Sequence, residues 1–132
     1  MVSWGRADLH MHTTASDGWP TPVQIVDHAV RRAALNVIAI TDHDTIEGAL
    51  RAADHATKRR KVHVVVGEEV SSRDGHIVGL FLERRVKPGM SAAATVHARS
   101  IGGELGRPVR VQCPRPRGRR PRRRRRSGHP AR

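Results

Sequence analysis

Apolar positions along the first hundred residues fall into short runs separated by amphipathic stretches, and each change of period marks an element. In Asp8-Leu9-His10-Met11-His12 the alternation of a strand puts Asp8, His10 and His12 on one face, with Leu9 and Met11 packing on the other. Thr21-Pro22-Val23-Gln24 reads as a helix start, with Thr at the N-cap, Pro at the first helical position and Gln at the third. The pairs Ile25/Val26, Ala29/Val30 and Ala33/Ala34 carry that helix on at four-residue spacing to an end near Leu35-Asn36. Val37-Ile38-Ala39-Ile40 is a continuous apolar run of the kind found in strands covered on both faces.

A second helix is expected from Asp44 or Thr45, with Glu47 reaching back to its first turn, running through Ile46, Ala49, Leu50, Ala53 and Ala56. Lys58-Arg59-Arg60-Lys61 at its end faces the negative pole of the helix dipole. Residues 62–66 form a β-branched strand that delivers Gly67-Glu68-Glu69, and Arg73-Asp74-Gly75 turns the chain into a fourth strand over 76–82. After Pro88-Gly89, Ser91 caps a third helix reaching about Arg99. Strands alternating with helices through short links imply parallel βα units and an α/β fold.

Charge divides the chain differently. Residues 1–106 carry 13 Lys+Arg against 12 Asp+Glu, whereas residues 107–132 carry 12 Arg and no acid. The formal charge of +13 therefore describes the tail, whose Arg/Pro/Gly composition cannot bury apolar surface and is expected to be disordered. The organisation expected is one α/β unit over 1–100 and a basic tail over 101–132. A single cysteine, Cys113, excludes an intrachain disulfide framework and suits a reducing cytoplasm. No apolar run approaches the length of a membrane span, so no membrane partner is expected. With Trp4, Trp19 and Phe81 as the only aromatics, a single-strand-binding surface built on stacked bases has little to work with.

The chemistry gathers at strand ends. His10-x-His12 alone is compatible with two partly exposed histidines. Asp42-His43 and Glu68-Glu69 close the next two strands, however, and the carboxyl ends of strands are where open sheets and (β/α) barrels assemble their sites. Imidazoles and carboxylates so placed suit divalent transition metals. His28, His55 and His63 fall on helix surfaces or a strand away from these ends and read as structural.

Four ordered stretches carry a resemblance: residues 8–18 (Asp-Leu-His-Met-His-Thr-Thr-Ala-Ser-Asp-Gly), residues 37–45 ending Thr-Asp-His-Asp-Thr, Gly67-Glu68-Glu69-Val70-Ser71, and His76-Ile77-Val78-Gly79. In order and spacing they resemble the PHP (polymerase and histidinol phosphatase) family of metal-dependent phosphoesterases, over roughly residues 6–100. The resemblance is to the stand-alone phosphoesterases, including those acting on nucleoside 3′,5′-bisphosphates and short RNA ends. It implies part of a distorted (β/α)7 barrel holding two or three divalent ions, Mn, Zn or Fe. It also implies His10, His12 and Asp17 as ligands of one ion, His43 and His76 as ligands of the others, and Glu69 as the bridging carboxylate. Glu69 is chosen over Glu68 because the family's Gly-x-Glu pattern places its Glu two residues after Gly67. Asp42 is expected to serve catalysis by orienting a ligand imidazole, and Asp8 to do the same for the first pair.

Family members carry a His-Pro motif after the third helix and an Asp-x-His near the last strand. Here His129-Pro130 lies in the arginine run, with no strand before it, and is assigned no metal role. A (β/α) barrel also needs on the order of 200 residues or more. The expectation is therefore a truncated phosphoesterase of impaired activity, acting on a phosphorylated small molecule, a nucleotide or an oligonucleotide end. The sequence leaves its oligomeric state open. Two hypotheses address the tail. It is either a shifted reading frame of a GC-rich gene, which sequencing the locus would test, or a true basic arm that binds RNA or DNA. The second makes the chain, alternatively, a non-catalytic nucleic-acid-binding protein.

Overall fold

The computed structural model describes residues 5–59 and 61–100. The expectations for residues 101–132, Cys113 and His129-Pro130 included, lie outside the described residues. Four strands form one sheet in the order β1-β2-β3-β4: β1 is Ala7–Met11, β2 Val37–Ile40, β3 His63–Ser72 and β4 Gly75–Leu80. Three helices accompany them, α1 (Pro22–His28), α2 (Glu47–Arg59) and α3 (Ala92–Ser100). The architecture is an α/β half-barrel, the sheet curling around one open side.

Helix α1 starts as its sequence dictates. Thr21 accepts the N–H of Gln24 at 3.2 Å, and the Gln24 side chain accepts the N–H of Thr21 at 2.9 Å, so two of the helix's orphan donors are satisfied reciprocally. Beyond His28 the chain widens into a π-helical turn over Ala29–Ala33, closed by Ala34 in the left-handed region at φ 49°. Asn36 then ties the exit to β1, its side chain accepting the N–H of Arg6 at 2.8 Å. Helix α2 begins later than expected. Asp44 adopts φ 54°, which breaks helical geometry there, and its carboxylate accepts the N–H of Ser71 instead.

The core lies between the helices and one face of the sheet. Ile25, Val26 and Ala29 of the first helical segment meet Ala49, Ala52 and Ala56 of α2 over Ile38, Ile40 and Val64. A second cluster, Ile46, Val70, Leu82 and Val86, packs beneath the far end of β3 with Met90 and Ala98 at its margin. Among the residues expected to pack, Leu9, Ala34 and Leu50 are exposed. Leu50 stands about 100° around the helix from Ala49 and so turns away from the face that Ala49, Ala52 and Ala56 share.

The all-parallel expectation holds for β1-β2 and β2-β3 but not for β4, which runs antiparallel to β3. Strand β3 is also twice the expected length. Residues 63–66 pair with β2, and residues 67–72 continue past it to pair with β4 through the two-residue turn Arg73-Asp74. Glu68 and Glu69 therefore sit within a strand rather than at its end.

Candidate metal centre

Two loops and the β3-β4 hairpin converge above the carboxyl ends of β1 and β2. Pairing between these strands extends past their formal ends, since Thr41 donates its N–H to the Met11 carbonyl at 2.8 Å. That fixes the start of both following loops, 12–18 and 42–46. Pairing between the second loop and β3 also persists: Glu69 donates its N–H to the Asp42 carbonyl at 3.1 Å, Asp44 donates to the Glu69 carbonyl at 3.2 Å, and His43 lies opposite Glu69. His43 is thus presented beside Glu69 by backbone geometry alone. In the antiparallel hairpin Ser71 faces His76 and Glu69 faces Val78, which sets Glu69 and His76 diagonally on one face.

The side chains meet at Glu69. Its Oε2 lies 2.8 Å from His10 Nε2 and 3.0 Å from His12 Nε2, and those two nitrogens are 3.0 Å apart. Its Oε1 lies 3.0 Å from His76 Nδ1. His43 Nε2 stands 3.9 Å from Glu69 Oε2 and 3.7 Å from Asp17 Oδ2. Asp17 Oδ1 approaches the other edge of His12, 3.0 Å from Nδ1. The rings of His12, His43 and His76 follow one another at centroid spacings of 4.8 Å.

This donor set suits cations. Three nitrogen and oxygen atoms near 3 Å from one another match the spacing of adjacent ligands around an ion at about 2.1 Å in right-angle coordination. His12 Nδ1 is buried and has no hydrogen-bond partner among the described residues, although Asp17 Oδ1 stands 3.0 Å away. A buried lone pair or proton without a partner is costly, and a bound ion would relieve it. Three groupings have ligand atoms within 4.8 Å of one another: His10, His12 and Glu69; His12, Asp17 and His43; His43, Glu69 and His76.

Electrostatics keep the two carboxylates charged. Burial would raise the Glu69 carboxyl, but the hydrogen bond from His10 and the charges of His43, His10 and His12 bring it below its ordinary value. Desolvation likewise opposes ionisation of Asp17, and His12, the backbone, His43 and Ser16 outweigh it, so that carboxyl is lowered too. Glu68, on the opposite face of β3, behaves in reverse. Burial pushes its carboxyl up, against the Val86 N–H that it accepts at 2.8 Å and against Arg85.

His10, His12, His43, Glu69 and His76 come together, and it is Glu69, not Glu68, that faces them. Asp17 joins them from the opposite edge of the His12 ring, beside His43 rather than beside His10. Among the described residues Asp42 bonds no imidazole: its Oδ1 accepts the Thr13 N–H at 2.6 Å and the Ser16 hydroxyl at 2.8 Å, and its Oδ2 accepts the Thr13 hydroxyl at 2.7 Å. It orients the loop that carries Asp17, which corrects the expectation that it orients a ring. Asp8 likewise accepts a backbone N–H, that of His10 at 3.2 Å, and no imidazole. His55 lies apart from the cluster, bonded to Asp27 at 3.1 Å between α2 and α1.

Thr13, Ser16 and Gly48 have no place among the candidate ligands, yet with Gly18 they let this loop close. A Cβ on Gly18 would run into the backbone of His12 and Thr13, and one on Gly48 into the Asp42 carboxylate and Thr13 Oγ1. A glycine inside the first turn of an otherwise alanine-rich helix is itself a signal of close approach.

Comparison with known proteins gives the family of the chain. The PHP domain family matches residues 8–102. A 5′-3′ exoribonuclease of Haemophilus influenzae is 40% identical over 91 residues, which span 66% of this chain and 32% of the relative. A 3′,5′-nucleoside bisphosphate phosphatase of Chromobacterium violaceum is 42% identical over 80 residues, 58% of this chain and 27% of the relative. A solved structure described as an amidohydrolase from Chromobacterium violaceum, with bound sulfate and no metal, superposes with a TM-score of 0.52 at 38% identity, covering 73% of this chain and 33% of its own. The chain thus spans about a third of these proteins. With its strand-borne motifs converging on one histidine and carboxylate cluster and the family match covering residues 8–102, the chain belongs to the PHP domain family.

Proposed function

We propose that this chain carries part of a divalent-metal-dependent phosphoesterase that hydrolyses a phosphate ester of a nucleotide or of an oligonucleotide end. The observation that carries the reading is the shared carboxylate of Glu69, one oxygen against His10 and His12 and the other against His76. A carboxylate used on both sides is suited to joining neighbouring cations, and paired cations are suited to phosphoester cleavage. We assign His10, His12 and Glu69 to one ion, with His43, His76 and Asp17 completing the positions of one or two more. This imidazole and carboxylate set favours Mn, Zn or Fe.

Bound there, such ions would polarise phosphoryl oxygens and lower the pKa of water. The chain's own residues prepare the site. Glu69 and Asp17, both held below the usual carboxylate range, stay ionised to receive cations at neutral pH. Asp42 is a positioning residue that fixes Asp17 by gripping Thr13 and Ser16. The relatives named as an exoribonuclease and a nucleoside bisphosphate phosphatase support a nucleotide phosphate as substrate. No helix among the described residues is long and apolar enough to cross a membrane, and the single cysteine fits a cytoplasmic setting.

Elemental analysis beside hydrolysis of a generic phosphoester tests the reading. Stoichiometric Mn, Zn or Fe with turnover abolished by His10→Ala supports it, and metal-free protein without turnover overturns it. The 12 arginines of residues 107–132 favour a second reading, binding of nucleic acid through phosphates. Affinity that falls steeply with salt supports that reading, and equal binding by a chain ending at Arg99 counts against it.

A further inference from the structure

Among the described residues the most exposed aromatic ring is that of Trp19. It is 95% exposed, although indole is among the most buried side chains on average. Its loop is pinned on both sides: Gly18 donates its N–H to the Thr13 carbonyl at 2.9 Å, and Thr14 donates to the Pro20 carbonyl at 3.0 Å. Gly18 is wedged against the backbone of His12 and Thr13, and the residue before a proline is restricted to extended conformations. On the other side Thr21 closes the capping box of α1. The backbone therefore presents Trp19 outward.

Its position relative to the site is set by the same loop. Two residues of chain span at most about 7 Å, so Trp19 springs from within that distance of Asp17, whose carboxylate lies against His12 and His43. Asp17 is itself 68% exposed in its side chain, so the edge of the centre that it forms is open to solvent, as the indole two residues on is. The shortage of aromatics that argues against an extended stacking surface still leaves one ring at the rim.

We propose that Trp19 is a stacking platform for the nucleobase of the substrate, held beside the metal centre that takes the phosphate. The inference rests on the phosphoesterase reading above. A flat π face binds any base without sequence preference, which suits a site reading a nucleotide end. The ring adds affinity for the nucleoside portion and leaves the phosphate contacts unchanged.

The test uses the full chain carrying Trp4→Phe, so that Trp19 is the sole tryptophan, with adenosine 5′-monophosphate and ribose 5-phosphate as probes in calorimetry and fluorescence. Adenosine monophosphate should quench Trp19 emission and bind roughly 5- to 150-fold more tightly than ribose 5-phosphate, the range base stacking gives. Trp19→Ala should erase that preference and leave ribose 5-phosphate binding as it was, while Trp19→Phe should keep part of it. Equal affinity for the two probes in the parent overturns the role of Trp19 and leaves the phosphate site standing. Equal weakening of both by Trp19→Ala also overturns it, because the ring would then be a support of the loop. Binding of neither probe overturns the phosphate site and the platform together. A blue shift of Trp19 emission with protein concentration and no response to nucleotide would assign the ring to a second copy of the chain instead.

Discussion

Asp42 holds Thr13 twice, accepting its N–H at 2.6 Å and its hydroxyl at 2.7 Å. With Ser16 added at 2.8 Å, this fully buried carboxylate offsets its desolvation through three hydrogen bonds, all from the loop that ends at Asp17. Asp42→Ala leaves those donors unpaired and should cost about 3–5 kcal/mol, read as a fall in the denaturant midpoint. Asp42→Asn keeps one oxygen for the Thr13 N–H and Ser16 and can donate to Thr13 Oγ1, so its cost should be about 1–2 kcal/mol. Turnover surviving in Asp42→Asn supports a positioning role. A loss of roughly 10²- to 10⁴-fold with fold and metal content intact would instead make Asp42 a proton-transfer group.

Gly48→Ala provides an independent test of the same latch. In an exposed helix the change stabilises by about 1 kcal/mol. Here the added methyl meets Asp42 Oδ2, Thr13 Oγ1 and the Ala15 Cβ, so the expected result is a destabilisation of about 1–3 kcal/mol. Because the two side chains compete for one space, Asp42→Ala should remove much of the Gly48→Ala penalty in a double-mutant cycle. Additive effects would mean that the two sites do not share that space.

Glu68 and Glu69 predict opposite responses to pH in the metal-free protein. Burial pushes the Glu68 carboxyl above its usual 4.5, with Asp44 adding to the rise. Its contribution to stability is present below 4.5 and lost as pH rises through the raised value. Burial acts the same way on Glu69, but His10, His43 and His12 bring it below 4.5, so its contribution is present above 4.5 and lost as pH falls through the lowered value. Melting curves across this range should show Glu68→Gln flattening the decline on the alkaline side and Glu69→Gln flattening the acid-side decline. The reverse assignment would contradict the burial and contacts described.

Much of this arrangement was legible in the chain itself. The Thr21, Pro22 and Gln24 start of α1 follows from local hydrogen bonding, as does the Ser91 cap of α3, where Ser91 Oγ accepts the Ala94 N–H at 3.2 Å. Such local devices do not depend on the rest of the fold. The length of β3 was hidden because Gly67-Glu68-Glu69 reads as a loop, and only the change of partner from β2 to β4 makes it strand. The candidate site divides the same way. Strand-end spacing brought out His10, His12, Asp17, His43 and the Glu68-Glu69 pair, and the family resemblance added His76 and the choice of Glu69, whereas the partners of Asp42 could not be read, since they depend on a contact across 29 residues of sequence. Leu9 and Leu50 were misplaced because periodicity assigns a face and not what covers it.

The central claim is that Glu69 joins two sets of histidines around separate cations. Metal content per chain, measured by elemental analysis after saturation with Mn, Zn or Fe, tests it most directly. His10→Ala and His76→Ala should each reduce the content in part, and Glu69→Gln, with its melting curve still cooperative, should reduce it more than either. A Glu69→Gln protein that retains the full metal content of the parent would contradict the account.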